Sequence, residues 1–498
     1  MTLSLASIAV LGRRDLKIPA YDRNRVSIGI VHFGPGAFHR VHQACYVDDI
    51  LHSDPRWGIC EVSLHSTGVR DALVPQDGLY TIAILDEQSS FRVIGSVKEV
   101  LVAPESPSTV LERMASPATR IVTATITEKG YCLDKNGGLD VSHPDIAHDL
   151  QNPATPRTFV GFLARALRMR HDLGHEPFNV ISCDNLADNG HRLRRAVLDF
   201  VRASDPTLTA WIEEQVPFPC TMVDSITPAT DDALRLRVKE ALGVEDLWPV
   251  RRELFCQWVI ENKLRGPQPD WAAVGVTVTD DVAGFERAKL RLLNGAHSTL
   301  AYAGSLAGYD TVSSAIADEA LATFVRRMMI EDIRPGLAPP EGLDLDGYIA
   351  AVLRRFRNPT IRHLLAQIAW DGSQKLPFRT LPVIAENLAA GRSIARLCVP
   401  LAAWFHFIRR QVRHDRQIVD PLAAELAERA QRCNGDSAND VSTFLGLEKV
   451  FSTELAGNAT FRARLELAYA HLADVEGPPT LGAALAKITA RAGQEIHP

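Results

Sequence analysis

The chain has 498 residues, 46% of them hydrophobic and 23% charged, with a formal net charge of -6. These are globular proportions that exclude a disordered or fibrous protein, and the length exceeds one ordinary core, so at least two domains are expected. The mild, unclustered negative charge excludes an electrostatic footprint for nucleic acid or a basic stripe for a membrane surface, leaving a small molecule as the expected partner.

The opening MTLSLASIAVLGRR has a short apolar run, no basic segment ahead of it and no small-residue cleavage site, so it does not read as a signal peptide. No apolar run approaches the roughly 20 residues of a membrane span. The eight cysteines are scattered without a Cys-x-x-Cys pair. A chain of this size needs no staples, so reduced thiols and a cytoplasmic location are expected.

The first half alternates strand-like and helix-like segments: RVSIGIVHF, AFHRVHQACYVDDIL, WGICEVSL, TRIVTATIT and PFNVISCD. This order predicts an α/β, Rossmann-like domain with a mostly parallel sheet. LYTIAILDEQSSFRVIGSV reads as two antiparallel strands elaborating that sheet. From about Gly284 onward helical stretches take over, namely FERAKLRLLNGAHSTLAYAGSL, ALATFVRRMMIEDI, YIAAVLRRF and SIARLCVPLAAWFHFIRRQV. The expected division is a dinucleotide-binding domain over 1–283 and a mostly helical substrate and catalytic domain over 284–498. Such helices offer apolar surface to monomers and oligomers alike.

The nucleotide signal lies in the first strand-to-helix turn, where Val26 to Phe33 runs into Gly34-Pro35-Gly36-Ala37-Phe38. Such a turn lets backbone approach a pyrophosphate whose charge meets the helix N-terminus, although a plain strand-to-helix turn has the same look. His39 stands where a third glycine is usual. Phe33, Gly34, Pro35, Gly36, Ala37 and Phe38, with Glu128 of ITEKGYC, form the expected cofactor contacts. An acid that bonds the adenosine ribose should follow WGICEVSL, yet that strand runs into His65-Ser-Thr-Gly-Val-Arg70, and Glu61 lies inside it. The expected cofactor is therefore NAD with NADP not excluded, and Arg70 is either a partner of the NADP phosphate or a solvated charge.

The stretch KLRLLNGAHS places polar groups in an apolar helix. At roughly 100° per residue, with Glu286 at zero, Lys289 falls near about -60°, His297 near about +20° and Asn294 near about +80°, all on one broad face. Burying such groups costs several kcal/mol unless they have partners, while an exposed helix edge with a Glu286 to Lys289 pair is the plain alternative. The chemistry that fits is oxidation of a secondary alcohol. A lysine can take the hydroxyl proton, an asparagine amide can bond the developing alkoxide, and a histidine can hold the same oxygen. Asn185, in NVISCDN at the carboxyl end of a strand, is a second amide candidate.

The motif KLRLLNGAHS, together with GIVHFGPGAFHRVHQ, ITEKGYC, SCDNLADNGH, FPCTMVDSITP and DGSQKLP in the same order, resembles the polyol-specific long-chain dehydrogenases across roughly residues 18 to 450. The resemblance implies Lys289 as general base without a metal, Asn185 and Asn294 as alkoxide donors, and Glu286 assisting proton transfer to solvent. It also implies that His297, Asp224 and Lys375 contact substrate. Ser225 departs from the arginine common in the family, and Gln367 from an arginine carried by members that oxidise mannitol. ITEKGYC, FPCTMVD and QIAWDGSQKLP look more like members acting on fructuronate. The expected activity is therefore interconversion of a sugar acid or polyol with its keto sugar, with mannitol and fructose as the alternative pair. A carboxylate substrate calls for a cation, for which Lys129, Lys375 and Arg379 are candidates.

Two motifs point elsewhere. Tyr131 and Lys135 have the Tyr-x-x-x-Lys spacing of a tyrosine-based dehydrogenase, but Asn136-Gly-Gly reads as a turn. Gly174-His-Glu has the look of a zinc ligand motif, but no cysteine cluster accompanies it and Gly174 reads as a helix stop. A nucleotide-bound sensor without turnover would keep the glycine turn but have no use for Lys289, Asn294 and His297 together.

Overall fold

The computed structural model describes residues 1–8, 16–86 and 89–490. Residues 9–15 of the opening stretch, and 87–88 in the turn between the paired strands, lie outside them. The chain divides into two compact units, Met1–Ala283 and Gly284–Pro498.

In the first unit five strands form a parallel sheet: β1 (Ile28–Phe33), β2 (Gly58–Ser63), β3 (Val97–Val102), β4 (Ile121–Ala124) and β5 (Asn179–Ser182). Their spatial order is β3-β2-β1-β4-β5. The sequence outruns simple alternation here because a parallel sheet is covered on both faces and both must be apolar. Val31 and Phe33 enter a core with Phe159, Phe162 and Leu163, while Ile30 and Ile59 enter another with Tyr46 and Trp258. The order reverses between β1 and β4, and in open α/β sheets the crevice at such a switch takes the ligand.

The stretch AFHRVHQACYVDDIL, expected as one helix, is two: Ala37–Val41 and Gln43–Ile50, broken at His42 with φ -115° and ψ -90°. The His42 ring bonds the Gln257 carbonyl at 2.8 Å and lies between Phe38 and Trp258. Tyr80–Leu85 and Ser90–Ile94 do pair antiparallel, but they belong to a separate four-stranded sheet with Leu16–Lys17 and Val250–Glu253 rather than to the parallel one.

The second unit is helical. Cys398–Arg413 packs against Gly295–Leu306, Ala423–Arg432 and Ala459–Leu472. Trp404 and Phe405 are fully buried along it, and Phe405 stacks on Phe444 with centroids 4.3 Å apart. All eight cysteines are unpaired. Among the described residues no helix is long and apolar enough to cross a membrane.

Candidate active site

In the first unit the turn after β1 is built by its glycines and clamped from beneath. Gly34 has φ +87°, and a Cβ there would lie 2.2 Å from the Thr125 carbonyl oxygen. Only glycine tolerates both the left-handed backbone and that approach. The Thr125 hydroxyl donates to the Gly34 carbonyl at 2.8 Å, and the His32 ring lies 2.7 Å from Thr123 Oγ1 and 3.1 Å from Thr125 Oγ1. Gly36 opens the helix Ala37–Val41 with ordinary angles, φ -71° and ψ 179°, and the nearest atom to a Cβ there is 3.9 Å away. What Gly36 supplies is therefore free space above the helix N-terminus.

The third glycine of such turns serves close packing of helix on strand. Here His39 does that work with a ring. It stacks on His32 at 3.3 Å between centroids and 10° between planes, and its Nε2 lies 3.3 Å from Glu61 Oε1, both side chains being fully buried. Burial pushes the Glu61 carboxyl up to about 8 and holds the His39 imidazole down at about 3. At neutral pH the pair is therefore a carboxylic acid against a neutral ring. Glu61 is core and does not reach toward a ribose.

A cavity of about 620 Å³ opens over this turn. Gly34, Pro35, Gly36 and Ala37 line it, joined by Ser63, His65, Thr230, Arg235 and Trp248. Its charged lining residues are Arg40 and Arg235, and no carboxylate is among them. Arg40 is buried between the Tyr80 and Trp248 rings and donates to the Trp248 carbonyl at 2.9 Å. Of the other expected contacts, Phe33 is buried in the core, Phe38 lies against His42, and Glu128 is exposed in the turn Glu128–Tyr131; none of the three lines the cavity. Arg70 is paired with Asp71 and Glu105 and lies outside the lining. Arg235 was missed because it reads as an ordinary charge on the amphipathic helix Asp232–Leu242.

Asn185 is exposed just beyond β5, as ligand groups of such sheets are. The residue before it fixes the loop: the Asp184 carboxylate accepts from the Ile126 and Thr127 amides at 3.1 and 2.8 Å and from the Tyr131 hydroxyl at 2.6 Å. Tyr131 is thus a buried strut, and Lys135 sits in a turn beyond a left-handed Cys132, so the two share no helix. Lys129 is exposed. Asp224 is 7% exposed and ends the strand Thr221–Asp224, and the Ser225 hydroxyl donates to the Phe255 carbonyl. Gly174 closes the helix Phe159–Asp172 with φ +67°, and Glu176 pairs with Arg120.

In the second unit the motif helix is not uniform. After Val282–Ala288 it widens into a π-helical turn over Lys289–Asn294 before resuming as Gly295–Leu306, and the Gly295 amide donates to the carbonyl of Leu290, five residues back. The 100° spacing therefore does not hold across the motif, since each i→i+5 bond takes in an extra residue and rotates the rest of the helix. Such turns cluster at functional sites. Lys289 and His297 are both buried, at 8% and 7% exposure, with Glu286 and Asn294 half-buried. The turn packs on the helices Leu345–Arg357 and Gly372–Arg379.

Those helices bring cations to the histidine. The His297 ring lies 4.5 Å from the Phe356 ring and 5.1 Å from His363, and its Nε2 is buried without a hydrogen-bond partner. Burial holds the imidazole far below its usual range, followed by His363 and by the positive charges of Arg355, Arg379 and Lys375. Lys375 donates to the Trp370 and Ile368 carbonyls at 2.6 and 3.2 Å, and burial lowers its ammonium, with Arg379 adding to the effect. Arg379 donates to Ser298 Oγ at 3.1 Å, and burial takes it down to about 10. Arg355 was not legible in the sequence, because LRRFR reads as a solvated helix end, and His363 lies beyond that helix in a loop that carries no motif. Gln367 is exposed on Leu365–Ile368.

A glycine turn under a cavity on a parallel sheet in one unit, and a helix with buried polar residues in the other, fit the class of dinucleotide-dependent oxidoreductases with a helical second domain. Residues 28–273 match the family described as mannitol dehydrogenase Rossmann domain, and residues 281–473 the mannitol dehydrogenase C-terminal domain. The chain belongs to the mannitol dehydrogenase family. It is 42% identical to the D-mannonate oxidoreductase of Escherichia coli (strain K12), covering 92% of this chain and 95% of that one. It is 41% identical to a mannitol 2-dehydrogenase of Aspergillus fumigatus (strain CBS 144.89 / FGSC A1163 / CEA10), over 92% and 93% of the two chains. The Pseudomonas fluorescens mannitol 2-dehydrogenase, solved as a ternary complex with NAD and D-mannitol, superimposes with a TM-score of 0.81 at 38% identity, covering 98% of this chain and all of that one.

Proposed function

We propose that this protein is a metal-independent, NAD-dependent oxidoreductase that interconverts a secondary alcohol of a sugar acid with the keto sugar, as in D-mannonate and D-fructuronate. The first unit serves as the dinucleotide domain and the second as the substrate and catalytic domain. The residues of the first unit fit the cofactor: Gly34 and Gly36 keep side chains out of a cavity that the start of the helix Ala37–Val41 lines, which suits a pyrophosphate. When bound, the nicotinamide supplies a hydride acceptor for the alcohol carbon. Lys289, buried at 8% exposure, takes the hydroxyl proton. The Asn294 and Asn185 amides bond the developing alkoxide, Glu286 passes the proton toward solvent, and Asp224 contacts substrate hydroxyls. His297 stays uncharged in its setting, so it can offer a neutral N–H or accept a hydroxyl proton through the unpartnered Nε2.

The observation that favours an acid is the set of positive groups around His297. Arg355, Arg379 and Lys375 all act on this one ring, with Asp371 and Asp420 the carboxylates that act on Lys375. A substrate carboxylate adds a favourable partner for Lys375 and Arg379 that a neutral polyol lacks. Lys375, which the resemblance also assigns to substrate, leads as the carboxylate partner, with Arg379 beside it. The likeness to two mannitol 2-dehydrogenases supports the mannitol and fructose pair as the second reading. The test is kcat/KM for fructuronate and fructose with NADH, in the wild type and in Lys375→Met. Loss of one charge-assisted hydrogen bond, about 1.5 to 3 kcal/mol, should lower the fructuronate value about tenfold to hundredfold and leave fructose nearly unchanged. A wild-type preference for fructose would overturn the acid reading.

A further inference from the structure

Cys220 takes no part in the chemistry above, yet it has metal-binding company. Its Sγ lies 3.7 Å from His191 Nδ1 and 3.8 Å from Asp188 Oδ1, and those two atoms are 2.8 Å apart. Asp188 and His191 stand exposed at the start of the helix Asn189–Ser204, and Cys220 is buried just ahead of the strand Thr221–Asp224. Among the described residues this is the one group of three such ligand atoms lying within 4.8 Å of each other.

The spacings can be set against a metal. With Zn–S of about 2.3 Å, Zn–N of about 2.05 Å and Zn–O of about 2.1 Å, tetrahedral edges are about 3.6 Å for S to N, about 3.6 Å for S to O and about 3.4 Å for N to O. Both edges to sulfur are therefore already in place to within about 0.2 Å. Only the aspartate to histidine edge has to open, by about 0.6 Å, between two side chains free to move in solvent. The frame beneath is fixed. The Asn189 side chain donates to the Asp184 and Thr221 carbonyls at 3.1 and 3.0 Å and accepts from the Thr221 amide at 2.9 Å, tying the helix start to the strand start. Glu261 Oε2 accepts from the Cys220 amide at 3.0 Å, adding a second carboxylate to the neighbourhood.

We propose that Asp188, His191 and Cys220 form a binding site for a divalent transition metal of the zinc class, separate from the hydride chemistry, with its fourth position open to water. A thiolate with an imidazole selects zinc or cobalt over magnesium or calcium. On binding, the Cys220 S–H bond breaks, the proton passes to solvent and an S–metal bond forms, with no change in oxidation state. Burial pushes that thiol up to about 11, so it is the incoming metal that displaces the proton. The site lies just after Asn185 in DNLADNGH and just before Asp224 in CTMVD, so a bound ion would brace the loop of one against the strand of the other.

The test is titration of the full, metal-stripped protein with cobalt(II), read by absorption. The expected result is a thiolate-to-cobalt charge-transfer band that saturates at one ion per chain and is removed by added zinc. Cys220→Ser should abolish the band and His191→Ala should weaken binding roughly tenfold or more, while Cys132→Ser and Cys433→Ser leave it intact. Should Cys220→Ser fail to fold, His191→Gln alters only an exposed side chain and carries the same expectation. A wild type without a thiolate band, a band that survives Cys220→Ser, or a cobalt affinity unchanged by substitution of His191 would overturn the proposal.

Discussion

Gly36→Ala separates what the glycine turn does for folding from what it does for a nucleotide. At φ -71° and ψ 179° the backbone is ordinary for alanine, and the added methyl finds nothing nearer than 3.9 Å. The folded state therefore accepts it, and the stiffer unfolded chain should leave the variant about 0.4 to 1 kcal/mol more stable. The methyl nevertheless stands in the cavity where the pyrophosphate is expected, holding a phosphate oxygen off the amides of the helix N-terminus. Losing one charge-assisted hydrogen bond there costs about 1.5 to 3 kcal/mol, about tenfold to hundredfold in Kd. Calorimetric titration with NADH, beside a thermal unfolding curve, reads both quantities. Gly34→Ala should behave oppositely. Its left-handed φ costs about 1 to 2 kcal/mol, and its Cβ meets the Thr125 carbonyl at 2.2 Å, so Tm falls before binding can be judged. Wild-type NADH affinity in a folded Gly36→Ala protein would refute the placement of the pyrophosphate.

Lys289→Ala should lower kcat by roughly 10²-fold or more while NADH still binds; near-normal turnover would remove Lys289 from the base role. Because the nucleotide cavity has Arg40 and Arg235 but no carboxylate in its lining, NADP should be accepted with weak discrimination, and Arg235→Glu should raise KM for NADP more than for NAD; an equal effect on both would place the 2′-phosphate elsewhere. The Glu61 carboxyl, held near 8 against an ordinary 4.5, binds its proton more tightly when folded, so its contribution to stability falls as pH rises from about 4.5 through 8. His39, held near 3 against 6.5, costs stability as pH falls from about 6.5 through 3. Glu61→Gln removes the first effect, so urea unfolding should show this variant gaining on the wild type by a few kcal/mol between about pH 5 and pH 8.5; a constant difference would mean that Glu61 is already ionised.

The α/β class, the glycine turn and the polar helix were all legible in the residues, because each is set within a few positions of sequence. Apolar strand runs between helix-like segments are what a sheet covered on two faces requires. Gly34 serves a close backbone approach and Gly36 leaves open space, and a lysine, an asparagine and a histidine among leucines are too costly to bury without use. The paired strands Tyr80–Leu85 and Ser90–Ile94 were equally readable, since alternation and a polar turn are local.

Tertiary structure decided the rest, wherever a group's role depends on a partner distant in sequence. The break at His42 comes from a carbonyl at Gln257, 215 residues away. The missing third glycine is made good by His39 stacked on His32 over a protonated Glu61, an arrangement that needs strand and helix already packed. The widened turn at Lys289–Asn294 alters the phase of a motif whose letters read as plain α-helix. Arg70, plausible beside a phosphate, is engaged by Asp71 and Glu105, while Arg235 reaches the cavity from a helix well beyond the first turn in sequence. Arg355 looks like a surface charge until folding brings it, with Lys375 and Arg379, round His297. Residue type and spacing determine which chemistry a chain can attempt, but the field at a side chain is set by whatever folding places beside it.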